Sequence, residues 1–183
     1  MRSRILAVAC GGVLALALAL QSPAIAAEPV APPDGAKLVP AEVHRVLLVQ
    51  DSPAVLLLDE SRERFLLVFI DFFMANAIRM GMEPPMIDRP LTHDLIGVLL
   101  HRLGATVERV AITALRDDTY YAALTLKVNG ETEEIDARPS DALAIAVRND
   151  TPVYVNAELL EALPQGDDEA VPTPEEEAPK VRT

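Results

Sequence analysis

Three charged side chains and a serine precede a nearly continuous apolar run in the second half of the chain. The segment "IDARPSDALAIAVRND" carries Asp136, Arg138, Ser140 and Asp141 at the start of this run. Charges at the edge of a hydrophobic core are costly unless they are paired, hydrogen-bonded or bound to a metal. The cluster is therefore either a set of capping and ion-pairing groups or a site that performs chemistry.

The apolar run itself predicts a helix that begins near Pro139 and is buried on most sides. Ser140 or Asp141 could accept hydrogen bonds from the free amides of its first turn. Asp141 would lie at the edge of the core, where it needs Arg138, Arg148 or backbone donors as partners. A structural ion pair and a catalytic carboxylate explain this pattern equally well, and the two are compatible.

A second polar cluster, "RPLTHDL", supplies Arg89, Thr92, His93 and Asp94. Thr92 is a suitable N-cap for the helix that follows. Asp94 would lie in the first turn, where free amides and the helix dipole stabilise a carboxylate. Capping alone accounts for both residues.

A chemical role for the same helix is the alternative. The helical period places Asp94, Gly97 and His101 on one face, with His93 adjacent. A carboxylate and an imidazole at this spacing could share a metal or act as base and orienting group. A solvated histidine is the simpler explanation of His101, so both interpretations stay open.

The elements that position these clusters follow from the hydrophobic pattern. Short aliphatic runs separated by turn residues predict strands at 43–50, 54–60 and 64–70, and a helix follows at 72–80. A helix at 92–103, with Leu95, Val98, Leu99 and Leu103 on one stripe, precedes further strands, a hairpin at Asn129-Gly130 and the helix after Pro139. We therefore predict a single compact α+β domain with pseudo-duplicated β-β-β-α halves and a linking helix.

Composition divides the chain into four segments. Arg2 and Arg4, a long apolar run and a small-residue triplet ending at Ala26 are typical of a signal peptide at 1–26. Proline-rich and acidic compositions predict a disordered linker at 27–40 and a disordered tail at 164–183. The domain would occupy 41–163, and the protein would be exported, periplasmic or secreted, without stable membrane insertion after cleavage of the signal.

Charge and cysteine content narrow the function classes. Removal of the signal would take away Cys10, the one cysteine, and change the formal charge from -12 to -14. Nucleic-acid binding would then depend on local positive charge. The chain lacks a phosphate-binding glycine loop, paired zinc cysteines and a nucleophile elbow. Four aromatic residues with apolar neighbours, Phe65, Phe69, Phe72 and Phe73, are predicted to lie in the core and not to form a base-stacking platform.

The two polar clusters, together with "LGATVERVAI", "YYAALTLKVNGETEEIDARPSDALAIAVR" and "PVYV", closely resemble the bifunctional nuclease domain family. The match spans about Val43 to Leu163, and its motifs RPxTHDL and DARPSDAxAxAxR are long and specific. The family is associated with both DNase and RNase activity. The resemblance therefore implies DNA and RNA as substrates.

Roles for the motif residues follow from that resemblance and from the chemistry of phosphodiester hydrolysis. Asp94, Asp136, Asp141 and His93 are the candidate catalytic residues. Arg89, Arg138 and Ser140 are the candidate substrate-binding residues. A divalent metal, Mg²⁺ or Mn²⁺, would be held by Asp94, Asp136 and Asp141. The two motifs should then meet in one cleft.

One departure from the family pattern bears on activity. Relatives carry an acid before the helical alanine in a pattern like "GEFEAQAI", whereas this chain reads "IDFFMANAI", with Met74 in that place. Three functions are therefore compared: a nuclease, a non-catalytic binding or scaffold module of the cell envelope, and a small-molecule hydrolase using the same carboxylates. The oligomeric state stays open, with a homo-oligomer as one alternative.

Overall fold

A mixed β-sheet with three α-helices makes up residues 29–33, 35–86 and 88–163, the part of the chain that the computed structural model describes. The strands are β1 (Leu38–Val49), β2 (Ser52–Asp59), β3 (Arg64–Phe69), β4 (Ala105–Arg116), β5 (Thr119–Val128), β6 (Glu131–Ala137), β7 (Val153–Asn156) and β8 (Glu161–Ala162). The helices are α1 (Phe72–Met82), α2 (Thr92–Arg102) and α3 (Pro139–Ala146), and a 3-10 turn spans Ala157–Leu159. The predicted α+β class is confirmed.

The sheet order is β6-β5-β4-β7-β1-β2-β3-β8. Two antiparallel meanders, β1-β2-β3 and β4-β5-β6, lie on either side of β7. β7 runs antiparallel to β1, with Leu38 opposite Asn156, and parallel to β4, with Val110 opposite Val153. This four-residue strand therefore joins the two meanders into one sheet.

Two-residue loops close three of the hairpins. In each loop both residues have positive φ, the geometry whose twist matches that of the flanking strands. They are Gln50-Asp51, Asp117-Asp118 and Asn129-Gly130. The hairpin predicted at Asn129-Gly130 is confirmed.

The main core lies between one face of the sheet and the helices. Strand residues such as Val55, Leu57 and Ile112 are fully buried in it, together with Ile78 of α1 and Leu143 of α3. Complete burial of such a side chain contributes about 1.5 to 3 kcal/mol each. α3 is buried at seven of its eight positions, as its composition predicted.

α2 does not pack on the core through the apolar stripe seen in its sequence. The stripe of Leu95, Val98, Leu99 and Leu103 is exposed. Ile96 and Leu100 pack against the core instead. The reason is polar: Asp94 pairs with Arg148 and Gly97 lies against Asn149, and these contacts fix the rotation of the helix.

The aromatic side chains also depart from expectation. Phe65 is partly buried against a small cluster on the sheet, but Phe69, Phe72 and Phe73 are exposed. Placing these three in the core was wrong: they lie at the end of β3 and in the first turn of α1, where their side chains are more than half exposed.

The chain order of strands and helices follows the predicted halves and linking helix, but a duplication of the halves stays a prediction. β1 begins at Leu38, so the sheet includes the last three residues of the segment predicted to be a linker. The predicted signal peptide and acidic tail lie outside the described residues. Among the helices that are described, none has the length and apolar character needed to span a bilayer.

Candidate functional site

The N-terminal ends of α2 and α3 meet. Nε2 of His93 lies 3.5 Å from Oδ1 of Asp141. The His93 side chain is 12% exposed and that of Asp141 33%, so their pair is shielded on most sides and open on one. The prediction that the two motifs converge in space is confirmed.

Arg138 occupies the other oxygen of the same carboxylate. Its Nε donates to Oδ2 of Asp141 at 2.6 Å. This hydrogen bond and the negative charge of Asp141 raise the pKa of Arg138, and Asp71 adds a smaller effect in the same direction. With a side chain that is 68% exposed, Arg138 is a positioned cation that remains open to solvent.

The first turn of α3 is free of side-chain caps. Arg138 is the N-cap residue and Pro139 the first helical residue, and Asp141 turns toward His93 and Arg138 instead of toward the helix amides. Ser140 is 8% exposed, and the described residues offer its hydroxyl no hydrogen-bond partner. The prediction that Ser140 or Asp141 caps α3 was therefore wrong. The backbone amides of the first turn stay available as hydrogen-bond donors.

A cleft of about 360 Å³ opens beside this turn. We call it the α3 cleft; its walls include Phe69, Asp71, Asp118, Tyr120, Arg138 and Ser140. Burial, and to a smaller extent the charge of Glu161, raises the pKa of Tyr120 above its ordinary value of 10.0, and its phenol is a hydrogen-bond donor at neutral pH. The cleft thus presents a cation, a hydroxyl and a phenol, and also two carboxylates.

Arg148 joins the three helices. Its side chain is 6% exposed; Nε donates to Oδ1 of Asp94 at 2.6 Å, Nη1 to the carbonyl of Ala144 and Nη2 to the carbonyl of Ala77, both at 2.8 Å. The sequence indicated Arg148 only as a partner for Asp141. Its pairing with Asp94 was missed, and the one local signal for it is an arginine at the end of an otherwise apolar helix.

Asp94 has both oxygens occupied by protein donors. Oδ1 accepts from Arg148 and Oδ2 from the backbone amide of Leu91 at 2.8 Å. Leu91, and not Thr92, is the N-cap residue of α2. The position of Asp94 in the first turn is as predicted, and its contacts are those of a cap and an ion pair.

The proposed metal ligands are not assembled into one group. No cluster of three or more histidine, cysteine, aspartate or glutamate side chains suited to a metal ion occurs within residues 29–33, 35–86 and 88–163. Asp94 faces Arg148, Asp141 faces His93 and Arg138, and Asp136 lies half-buried near the end of β6. The three carboxylates do not fit a shared metal site.

Like Asp94, two more of the predicted site residues form no polar side-chain contact with the others among the described residues. In the described part of the chain, neither Arg89 nor Asp136 forms an ion pair or a side-chain hydrogen bond with another predicted site residue. Arg89 is exposed in the loop before α2. The structure therefore unites His93, Asp141 and Arg138 directly, and brings Ser140 to the same helix entrance.

The polar face of α2 lines a separate opening. Asp94, Gly97 and His101 border a cleft of about 640 Å³ together with Arg148 and Asn149. The shared face predicted from the helical period is thus confirmed. His93 is not part of the wall of this cleft; it contacts Asp141 of α3 instead.

Met74 belongs to the hydrophobic core. It is the third helical residue of α1, its amide donates to Oδ1 of the N-cap Asp71, and its side chain is buried in the main cluster. The side chain of an acid at this position would be largely buried, and burial disfavours the ionised form unless a partner stabilises it.

Comparison with known proteins matches residues 55–165 to the model of the bifunctional nuclease domain. The chain belongs to the bifunctional nuclease domain family. An uncharacterized protein of Mycobacterium tuberculosis is 40% identical over 119 residues, which cover 63% of this chain and 69% of that protein. The motif residues of the site therefore lie within a bifunctional nuclease domain.

Two plant proteins carry the name of the activity. Bifunctional nuclease 1 of Oryza sativa subsp. indica is 30% identical over 139 residues, and bifunctional nuclease 1 of Arabidopsis thaliana is 33% identical over 111 residues. The matches cover 72% and 58% of this chain, but only 41% and 34% of the plant proteins. The bifunctional nuclease domain is thus the shared part, and each plant protein extends well beyond it.

Proposed function

We propose that this protein hydrolyses phosphodiester bonds of DNA and RNA at the N-terminal end of α3. The observation that carries the proposal is the contact of His93 with Asp141, beside the exposed guanidinium of Arg138. An imidazole beside a carboxylate can transfer protons, and a neighbouring arginine can bind a phosphate. These are the two requirements of the reaction.

His93 acts as general base in this proposal. A water molecule attacks phosphorus while His93 accepts its proton, and Asp141 stabilises the resulting imidazolium. The bond from phosphorus to the leaving oxygen breaks, and the proton from His93 passes to that oxygen. General acid-base catalysis of this kind contributes about 10² to 10⁴ in rate.

The phosphate is held by groups around the first turn of α3. Arg138 is already oriented by Asp141, and the free amides of the turn and the hydroxyl of Ser140 add neutral donors. Donors placed where negative charge develops lower the barrier, and loss of one such donor costs about 10² to 10³ in rate. Since the domain carries an excess of acids, these local donors determine where a polyanion can bind.

A requirement for Mg²⁺ or Mn²⁺ remains a prediction. The three carboxylates predicted as ligands do not form one site, so the steps above use the side chains of the chain alone. The test of activity therefore includes reactions with each metal and with a chelator.

The test is cleavage of labelled single-stranded and duplex DNA and RNA by purified protein, with Mg²⁺, with Mn²⁺ and with EDTA. We expect His93→Gln to reduce cleavage by about 100-fold or more. His101→Gln is the matched control, because His101 lies on the same helix as His93 but borders the cleft beside Arg148 and not Asp141. Equal activity of the His93→Gln variant and the parent would refute the role of His93.

Two observations support a second candidate, a non-catalytic binding or scaffold module. Met74 replaces the acid of the family pattern in the core, and α2 presents an exposed apolar stripe that includes Leu95 and Leu99. Absence of cleavage by the parent under every condition would favour this function over a nuclease. Light scattering would then show whether the stripe supports a homo-oligomer.

Export to the periplasm or the medium is proposed from the N-terminal sequence alone. The expected result is a mature protein that begins at Ala27. Intact mass measurement on protein recovered from the periplasm and from the cytoplasm tests this.

A further inference from the structure

Three phenylalanines within five residues of each other are exposed. Phe69 is 55% exposed, Phe72 63% and Phe73 88%, and they account for three of the four phenylalanines in the chain. Exposure of an aromatic ring forgoes about 1.5 to 3 kcal/mol of burial energy. Exposed apolar surface that is bordered by polar residues is typical of interaction and ligand-binding sites; we call these three phenylalanines the aromatic patch.

This patch adjoins the α3 cleft. Phe69 is part of the wall of the cleft, as is Asp71, and Phe72 and Phe73 follow Asp71 directly as the first two residues of α1. Oδ1 of Asp71 accepts a hydrogen bond from the amide of Met74 at 2.9 Å, which fixes this turn. Asp71 and Arg138 line the same cleft, so the turn lies beside the proposed phosphate-binding group.

We propose that Phe69, Phe72 and Phe73 stack on the bases of single-stranded nucleic acid whose backbone passes Arg138. The inference rests on the proposed function and names its substrate form. Unpaired bases present their faces to aromatic side chains, and such stacking contributes about 1 to 3 kcal/mol per base with little dependence on sequence. A duplex keeps those faces covered by neighbouring base pairs.

The charge around the cleft opposes a polyanion, so binding at this place needs a contribution other than phosphate contacts. Asp71 and Asp118 line the cleft together with Arg138, and the whole chain has a formal charge of -12. Phosphate contacts alone supply most of the affinity in basic proteins, but one arginine among carboxylates supplies little. Aromatic stacking adds affinity that does not depend on net charge, and it selects strands with accessible bases.

The experiment compares three ligands of equal length by fluorescence anisotropy: single-stranded oligothymidylate, a base-free deoxyribose phosphate strand, and a DNA duplex. All proteins carry His93→Gln, which removes the proposed chemistry and separates binding from cleavage. The double substitution Phe72→Ala/Phe73→Ala is compared with its His93→Gln parent. Leu103→Ala is the matched control, because Leu103 is a comparably exposed apolar residue at the end of α2.

We expect the double substitution to weaken oligothymidylate binding by about 10-fold or more. Binding of the base-free strand should change less than about twofold, and Leu103→Ala should match the parent on all ligands. The parent should prefer the single strand over the duplex. Circular dichroism of the double variant should match that of the parent, since both rings are exposed.

Two outcomes would overturn stacking: the double substitution weakens binding of the base-free strand as much as that of oligothymidylate, or it does not weaken oligothymidylate binding. Either outcome would do so even if the protein with native His93 cleaves DNA. A dimer that the double variant abolishes without any change in oligothymidylate affinity would assign the patch to a second copy and also overturn it. Loss of the base-dependent affinity in a protein that cleaves nothing would support stacking and refute the nuclease proposal.

Discussion

Nε2 of His93 lies 3.5 Å from Oδ1 of Asp141, which brings the two sequence motifs of the family into contact through the ends of two different helices. Asp141 reaches His93 with one oxygen and Arg138 with the other. Two independent helix caps would not require such a contact. One carboxylate thus positions both the proposed base and the proposed phosphate-binding cation.

Asp141→Asn should abolish most cleavage while leaving the protein folded. The amide keeps the shape of the side chain but loses the charge that stabilises an imidazolium at His93 and orients Arg138. We expect cleavage to fall by about 100-fold or more. The free energy of unfolding should change by about 1 kcal/mol, because Asp141 is partly exposed and caps no amide.

The measurement pairs cleavage per folded molecule with urea unfolding. Asp117→Asn is the control, since Asp117 is an exposed turn residue whose positive φ suits asparagine. A large loss of stability in Asp141→Asn with unchanged activity per folded molecule would make Asp141 a structural residue.

Arg148→Met should destabilise the domain strongly. The substitution removes a nearly buried guanidinium that bonds to Asp94 and to carbonyls of α1 and α3, and leaves these acceptors without a donor. We expect the free energy of unfolding to fall by about 3 kcal/mol. The free energy of unfolding of Arg148→Lys should lie between those of the parent and of Arg148→Met, because an ammonium cannot reproduce the planar geometry of three directed donors.

Arg102→Met is the control for this series. Arg102 is exposed and borders the same opening as Arg148, so its replacement should change stability by less than about 0.5 kcal/mol. Equal midpoints of urea unfolding for Arg148→Met and Arg102→Met would show that Arg148 does not hold the helices together.

Gly81→Ala should destabilise the protein although alanine favours helix over glycine by about 1 kcal/mol. A Cβ at Gly81 would lie 2.5 Å from Cγ2 of Val147 and 2.6 Å from Nη1 of Arg148. Val147 is stiff and Arg148 is held by three hydrogen bonds, so neither moves cheaply. Thermal unfolding should show a net loss of about 1 to 3 kcal/mol.

Gly97→Ala provides an internal comparison on α2. Its Cβ would lie 2.9 Å from Oδ1 of Asn149, the end of a side chain that can rotate away with loss of one hydrogen bond to Ile145. The loss of stability should therefore be smaller than for Gly81→Ala. The reverse ranking would contradict the close packing of α1 against the end of α3.

Asp59 should make stability depend on acidic pH. Burial by itself would raise the pKa of this carboxyl, but hydrogen bonds from the backbone and side chain of Arg64, from Ser61 and from the amide of Glu63 outweigh burial and lower the pKa below its ordinary value of 3.8. A lowered pKa in the folded state stabilises the fold above pH 3.8. That contribution is lost as the pH falls from 3.8 through the folded-state pKa.

Asp59→Asn should therefore cost about 2 kcal/mol at pH 7 in urea unfolding, and the difference from the parent should shrink below pH 3.8. Asp51→Asn, in an exposed hairpin loop with positive φ, should have the stability of the parent at pH 7 and below pH 3.8. If the difference in unfolding free energy between the parent and Asp59→Asn stays constant from pH 7 to below pH 3.8, the pKa of Asp59 is not lowered by folding.

The sequence was sufficient where local pattern decides structure. Alternation and turn residues located the strands, Asn129-Gly130 specified a hairpin, and Pro139 marked the start of α3. It was insufficient where a distant contact decides, because periodicity defines the faces of α2 but not which face packs. The pair Asp94 with Arg148 makes that choice. The phenylalanines were misplaced for a similar reason, because apolar neighbours in sequence do not show whether a side chain is covered in the fold.

The position of β7 between β1 and β4 has a consequence for the route by which the chain folds. Leu38, near the start of the sheet, pairs with Asn156, near its end, so almost the whole domain must be synthesised before this pairing can form. Pairings so distant in sequence slow folding toward milliseconds or seconds. Until residues 153–156 arrive, β1 and β4 would each present an unpaired edge, and intermediates that lack β7 would be the species most prone to aggregate.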